Sequence, residues 1–199
     1  MNNRMPAAEL LPATAYRVMP WRNGRGTTTE IALAAGTDGR FLWRVSIADV
    51  PDPGPFSSFA GYDRIIAVVA GAGMVLSVGD RPAVRLDQES DPHAFSGDAT
   101  TECALIDGPI RDFNLILDRA TTTGTLARLR LSSEPVPTAL DRGTALIHAL
   151  VGRVTVDAGA LGRWALPEGD TLRLDGPVGT ALVTGESGGR ALVATVSRR

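Results

Sequence analysis

The chain of 199 residues contains no lysine, and its twenty basic residues are all arginine. GC-rich codon usage accounts for the bias, but the absence still removes Schiff-base chemistry from the available mechanisms. Cysteine is almost as scarce. Cys103 stands alone, which excludes an internal disulfide and a thiolate metal cluster and points to a reducing, intracellular compartment, although a disulfide-free exported protein fits as well. An excess of one charge is missing too: 22 acidic against 20 basic residues leave a net charge of −2. That balance makes no electrostatic case for nucleic acid or an anionic membrane as partner. No apolar run approaches the ~18 residues that span a bilayer, and the first four residues lead into no signal-like segment. Histidine occurs twice, as His93 and His148.

What the chain does have is glycine (22) and proline (13), spread along its length between short β-branched runs. Helical periodicity is nearly absent. Strands are expected near 16–20, 27–34, 41–49, 64–70, 73–78, 83–87, 101–106 and 113–119. A second group is expected near 126–132, 145–150, 152–157, 171–174, 180–184 and 191–197. This is an all-β pattern of the antiparallel sandwich or barrel kind. A weak internal repeat accompanies it. Val69–Val78 matches Leu150–Val156 at an offset of about 81, and Phe95-Ser96-Gly97-Asp98 matches Pro167-Glu168-Gly169-Asp170 at about 72. Two similar β units in tandem are the expectation.

Two histidines cannot supply the several imidazoles of a cupin metal centre, and their spacing is wrong for one, so neither a metal nor another cofactor is expected. His93 reads as a turn residue and His148 as a packed strand residue. Asn23-Gly24-Arg25-Gly26-Thr27 resembles a phosphate loop only superficially, because it lacks the lysine and a following helix. No nucleophile elbow is present, and Cys103 reads as a buried structural thiol.

Polar residues that interrupt strands are more informative. In Phe41–Asp49 the period of two puts Phe41, Trp43, Val45 and Ile47 on a core face and Leu42, Arg44, Ser46 and Ala48 on the other. Small neighbours around Arg44 predict a concave, partly enclosed surface. In Asp112–Leu117 the same rule opposes Asp112, Asn114 and Ile116 to Phe113, Leu115 and Leu117. Arg64 heads an apolar run, where a charge points either to solvent or into a barrel mouth.

Five strings occur in one order: Met19-Pro20-Trp21-Arg22-Asn23-Gly24, Trp43–Val50, Gly54–Arg64, Phe95–Asp98 and Leu105–Leu115. Together they resemble the HutD/Ves family. The resemblance implies a bicupin, two tandem cupin-like antiparallel β barrels of jelly-roll type, with units at 1–122 and 123–199. It implies a bacterial cytoplasmic protein that binds a small carboxylate metabolite such as urocanate and tempers expression of histidine utilisation, with no catalytic residue. By position, the pocket would draw on Asn23, Arg44, Ser46, Arg64, Asp112 and Asn114. Arg44 and Arg64 would anchor the carboxylate rather than hold the fold together. The family tends to lysine where Arg22 stands and to glycine where Arg25 stands, which bears on the ligand more than on the fold. The second unit would support the first or self-associate, which is compatible with a homodimer. The alternative is a metal-independent isomerase or lyase acting on a small carboxylate, with Asp112 or Asp49 as general base.

Overall fold

In the computed structural model, residues 5–21, 24, 26–36, 39–140 and 142–199 are described. The chain divides into two compact units. One is Tyr16–Thr123 with Arg199, and the other is Gly124–Arg198 with the segment that ends at Ala15. The N-terminal strand Ala7–Leu11 pairs antiparallel with Thr171–Asp175. It therefore belongs to the C-terminal unit, although its place in the sequence grouped it with 1–122. Secondary structure is almost wholly β, with only two short 3-10 turns among the described residues.

The Tyr16–Thr123 unit holds two antiparallel sheets. One runs Arg17–Pro20, Thr27–Ala35, Phe41–Val50, Ile110–Asp118, Tyr62–Ala70, His93–Ser96 in spatial order. The other runs Gly54–Pro55, Thr101–Leu105, Met74–Val78, Val84–Leu86. Their facing sides meet in one apolar cluster that includes Ala48, Val50, Ile66, Val68, Met74, Leu76 and Cys103. The opposite face of the larger sheet is buried as well, with Trp43, Val45, Ile47, Phe113 and Leu115 at most 5% exposed. The predicted alternation therefore holds, but both faces are covered.

The second unit repeats the design. Its five-stranded sheet runs Ala7–Leu11, Thr171–Asp175, Thr144–Val151, Arg190–Arg198, Thr122–Arg130, and its four-stranded sheet runs Val136–Leu140, Gly179–Gly185, Val154–Asp157, Arg163–Leu166. A cluster with Ile147, Val154, Val156, Leu166, Leu172 and Val183 fills the space between them.

Expected barrels are here open two-sheet sandwiches. Among the described residues no ladder joins the larger sheet of either unit to the smaller one. The sheet ends explain it. Edge strands such as Arg17–Pro20 and Gly54–Pro55 are short and end in proline, which has no N–H to extend a ladder.

The repeat is visible in the pairing. Tyr62–Ala70 bonds to Ile110–Asp118 and His93–Ser96, as Thr144–Val151 bonds to Arg190–Arg198 and Thr171–Asp175. Met74–Val78 sits between Thr101–Leu105 and Val84–Leu86, as Val154–Asp157 sits between Gly179–Gly185 and Arg163–Leu166. The hairpin glycines Gly71 and Gly152 correspond, both with positive φ (87° and 71°). The offset of 81 is therefore structural. The offset of 72 is not: Gly97-Asp98 follows the strand His93–Ser96, whereas Gly169-Asp170 precedes the matching strand Thr171–Asp175.

All fourteen expected strands are present. Five others escaped: Ala7–Leu11, Gly54–Pro55, His93–Ser96, Val136–Leu140 and Arg163–Leu166. Each has five residues or fewer, too short for a period of two to stand out. His93 thus opens a strand rather than sitting in a turn.

Candidate functional site

Three central strands of the larger sheet in the Tyr16–Thr123 unit form a floor by their register. Arg44, Ile116 and Arg64 lie side by side in one row, and Ser46, Asn114 and Ile66 in the next. Ala48, Asp112 and Val68 form the third. Rows two residues apart along antiparallel strands are roughly 7 Å apart and point to the same face. The floor thus passes from two guanidiniums through an amide and a hydroxyl to a carboxyl. Above it lies a cavity of about 460 Å³, which Met19, Trp21, Thr28, Phe56, Ser57 and Phe59 also line.

Five of the six residues expected in the pocket meet here: Arg44, Ser46, Arg64, Asp112 and Asn114. Asn23, together with Arg22 and Arg25, lies outside the described residues. Sequence reasoning missed the aromatic wall. Phe56 and Phe59 stand in the quoted string Gly54–Arg64, but nothing in a loop sequence says which way a ring faces. Trp21 is set by a local contact: a Cβ on Gly26 would lie 2.9 Å from its ring and 2.6 Å from the Asp49 carbonyl oxygen. The indole can therefore lie against this glycine, and its Nε1 donates to Thr28 Oγ1 at 2.9 Å.

Arg64 is 5% exposed. Its Nη2 donates to Asn114 Oδ1 at 2.8 Å and its Nη1 to the Ser57 carbonyl at 3.3 Å. Its guanidinium carbon stands 4.9 Å from the centre of the Phe95 ring, 5.3 Å from Phe59 and 5.4 Å from Phe56. Arg44 faces Phe59 at 5.3 Å and Phe41 at 5.4 Å, so Phe59 is shared by both cations. Burial without full pairing pushes the Arg64 guanidinium down to about 10; Asp112 opposes the shift and Arg44 adds to it. Arg44 is lowered for the same first reason, with Glu30 acting against it. The Nε of each arginine is buried and has no hydrogen-bond acceptor among the described residues. Arg64 therefore does hold structure, through Asn114 and Ser57, contrary to the expectation that it serves a ligand alone.

Asn114 Nδ2 donates to Asp112 Oδ1, which ties the amide to the carboxyl. Asp112 Oδ2 is buried with no hydrogen-bond partner among the described residues. Burial pushes this carboxyl up to about 7; Arg64 and the Asn114 bond act against the shift, and Asp49 adds to it. Asp49 itself is not among the cavity residues. It accepts from Thr27 Oγ1 at 2.7 Å and pairs with Arg111 Nε at 2.9 Å, so it is already engaged and a poor candidate base.

His93 and His148 are not cavity residues, and among the described residues no group of three or more His, Cys, Asp or Glu could hold a metal ion. His148 Nδ1 lies 3.0 Å from Thr171 Oγ1 in the other unit's strands, the packed role expected of it. Cys103 is buried beside Met74, and burial raises its thiol to about 11, which keeps it a thiol. No helix among the described residues is long and apolar enough to cross a membrane.

The HutD family model matches residues 13–192. A 21.2 kDa protein of the hutC 3′ region in Pseudomonas putida is 50% identical over 114 residues, 56% of this chain and 59% of its own length. Protein Ves of Citrobacter koseri is 35% identical over 107 residues, 52% of this chain and 56% of its own. The chain thus spans a little over half the length of these curated relatives. Among solved structures, HutD from Pseudomonas fluorescens SBW25 in a formate condition superposes with a TM-score of 0.84 at 39% identity, covering 97% of this chain and all of that one. A cupin 2 conserved barrel domain protein from Leptotrichia buccalis shares the fold alone, at 9% identity and TM-score 0.56 over 91% of this chain and 96% of that one.

Proposed function

The chain belongs to the HutD family, and from that premise we propose that it is a non-catalytic cytoplasmic protein that binds a small carboxylate metabolite of histidine breakdown, urocanate or a close relative. Binding would temper expression of the histidine-utilisation pathway. A relative named for the hutC 3′ region supports a link between the family and that pathway. A net charge of −2 disfavours direct contact with DNA, so the effect on expression would pass through the metabolite or a protein partner. Two sandwiches with one pairing pattern and a cupin-domain neighbour support a bicupin.

One observation carries the ligand reading: two arginines brought to one cavity wall, each with a buried Nε–H that has no acceptor among the described residues. A guanidinium stays charged at any working pH and presents a planar fork that fits both carboxylate oxygens. Calorimetric titration of urocanate should show binding to the wild type and a large loss in Arg44→Ala. No heat in the wild type with urocanate or related acids would overturn the proposal.

A second reading rests on Asp112, whose carboxyl near 7 is poised to exchange a proton at neutral pH. It makes the protein an isomerase or lyase. Turnover of a histidine-pathway acid that disappears in Asp112→Asn would favour it over the binder.

A further inference from the structure

The string Phe95-Ser96-Gly97-Asp98 lines no part of the cavity, yet it fixes a piece of chain that does. Ser57 and Phe59 lie on the loop between Gly54–Pro55 and Tyr62–Ala70. Phe59 N–H donates to the Gly97 carbonyl at 2.8 Å, Gly97 N–H to the Tyr62 carbonyl at 2.8 Å, and Gly61 N–H to Asp98 Oδ1 at 2.7 Å. The approach is as close as glycine allows. A Cβ on Gly97 would lie 2.6 Å from the Phe59 carbonyl oxygen and 3.0 Å from Phe59 Cβ. The Phe59 backbone is therefore clamped, and Tyr62 meets its ring edge-on with centroids 6.4 Å apart.

Arg44 and Arg64 put two cations on one cavity wall, and among the described residues no ion pair holds either. A carboxylate partner would settle them but would take up the N–H donors that an incoming anion needs. An aromatic face attracts a guanidinium through its quadrupole and consumes no donor. Phe59 does this for both, with its ring centre 5.3 Å from each guanidinium carbon. The other rings divide among the described residues: Phe41 faces Arg44, whereas Phe56 and Phe95 face Arg64.

We propose that Phe59 is a positioning residue: its ring, clamped through Gly97 and Asp98, stands in for a counter-ion and holds Arg44 and Arg64 as a pair with N–H donors left for an anion. This rests on the carboxylate reading above and adds how two like charges persist on one wall of the cavity. The string Phe95–Asp98 thereby gains a part in the site, since Phe95 lies under Arg64 and Gly97 holds Phe59.

The test uses the full chain as wild type, Phe59→Leu, Phe59→Tyr and Phe95→Leu, each read in two ways. Nitrogen-15 NMR first follows the Arg44 and Arg64 Nε–H signals with no acid added. Phe59→Leu should shift both signals, because one ring faces both groups, whereas Phe95→Leu should shift mainly that of Arg64. Urocanate is then titrated calorimetrically. Phe59→Leu should weaken binding by about tenfold or more, the worth of two lost cation–π contacts, and Phe59→Tyr should stay within about threefold of the wild type. Phe59→Met, which keeps the bulk without a ring, replaces the leucine variant should that one fail to fold. Arginine signals unmoved by Phe59→Leu would overturn the inference, as would a tyrosine variant that binds as weakly as the leucine one. Binding that survives Phe59→Leu unchanged would overturn it and leave the carboxylate reading intact. If the wild type takes up no urocanate, the carboxylate reading falls and the role given to Phe59 falls with it.

Discussion

The two units share one pairing pattern and differ in what that pattern encloses. Counting back from the hairpin glycines Gly71 and Gly152, Arg64 corresponds to Ala145, Ile66 to Ile147 and Val68 to Ala149. Through the ladders, Asn114 corresponds to Val193 and Asp112 to Ala191. Even the irregularity in the ladder recurs, between Arg111 and Asp112 in one unit and between Ala149 and Val151 in the other. In the second unit these positions are apolar, buried and part of the apolar core. A hollow of about 180 Å³ remains at the Ala145 and Thr195 end, where the first unit has its cavity of about 460 Å³. The lesson is that the backbone tolerates either interior. At these three positions polar side chains in one unit stand where the other has apolar ones, and the polar ones are tied to one another through Asn114.

The comparison is broken most severely by moving one such group alone. Ala191→Asp would place a carboxyl in the second core with neither the arginine nor the amide that accompanies Asp112. We expect a loss of about 4 kcal/mol or more, or failure to fold, in denaturant melts. The reverse exchange, Asp112→Ala, should change stability by only about 1 kcal/mol, since it removes a buried charge as well as a bond. Equal costs would mean that the first unit's network has no special role.

Next in size is a pH effect that the second unit's apolar core does not share. Asp112 titrates near 7 when folded and near 3.8 when unfolded. A raised folded value makes the unfolded chain lose its proton first. Its contribution to stability is therefore complete below about pH 4 and lost as pH rises through 7, a change on the order of a few kcal/mol. Wild type should thus lose stability between pH 5 and 8 relative to Asp112→Asn. Parallel pH profiles for the two proteins would sink the assignment.

Within the cavity, the arginines should separate. Arg64→Ala strips Asn114 Oδ1 and the Ser57 carbonyl of their donor, at a cost of about 2 kcal/mol. Arg44 is less buried, and ring contacts are its main visible support, so Arg44→Ala should cost under about 1 kcal/mol while binding falls in both. Thermal melts beside titrations read the two effects apart. Arg44→Ala is the cleaner test of ligand binding.

The smallest contrast lies in the hairpins. Alanine at either glycine is strained by about 1 kcal/mol or more through its positive φ. At Gly71 the new Cβ would also lie 2.4 Å from the Pro109 carbonyl oxygen, whereas at Gly152 the nearest neighbour is 4.0 Å away. Gly71→Ala should therefore melt lower than Gly152→Ala, and equal melting points would contradict the packing described.

Much of the fold was legible. Runs such as Phe41–Val50 and Tyr62–Ala70 are long enough for alternation to show, and glycines at the turns punctuate them. Five of the six expected site residues meet at one cavity because polar residues within apolar strands, such as Asn114 in Phe113–Leu117, are costly unless something answers them. The open sheets, the short edge strands and the aromatic wall were not legible. Each depends on where strands stop pairing or how a loop folds back, and neither leaves a periodic trace.

By itself, then, the sequence determined the all-β class, the tandem repeat, the absence of lysine and thiolate chemistry and the set of polar residues that interrupt strands. Tertiary structure decided which of those residues face one another. Register placed Arg44 and Arg64 on either side of Ile116, and a side chain reaching one row along joined Arg64 to Asn114. It also moved Ala7–Leu11 to the far unit's sheet. The physical reason is range: period and propensity act over a few neighbouring residues, whereas the Arg64 and Asn114 partnership spans fifty residues and exists only once the ladder between their strands has formed.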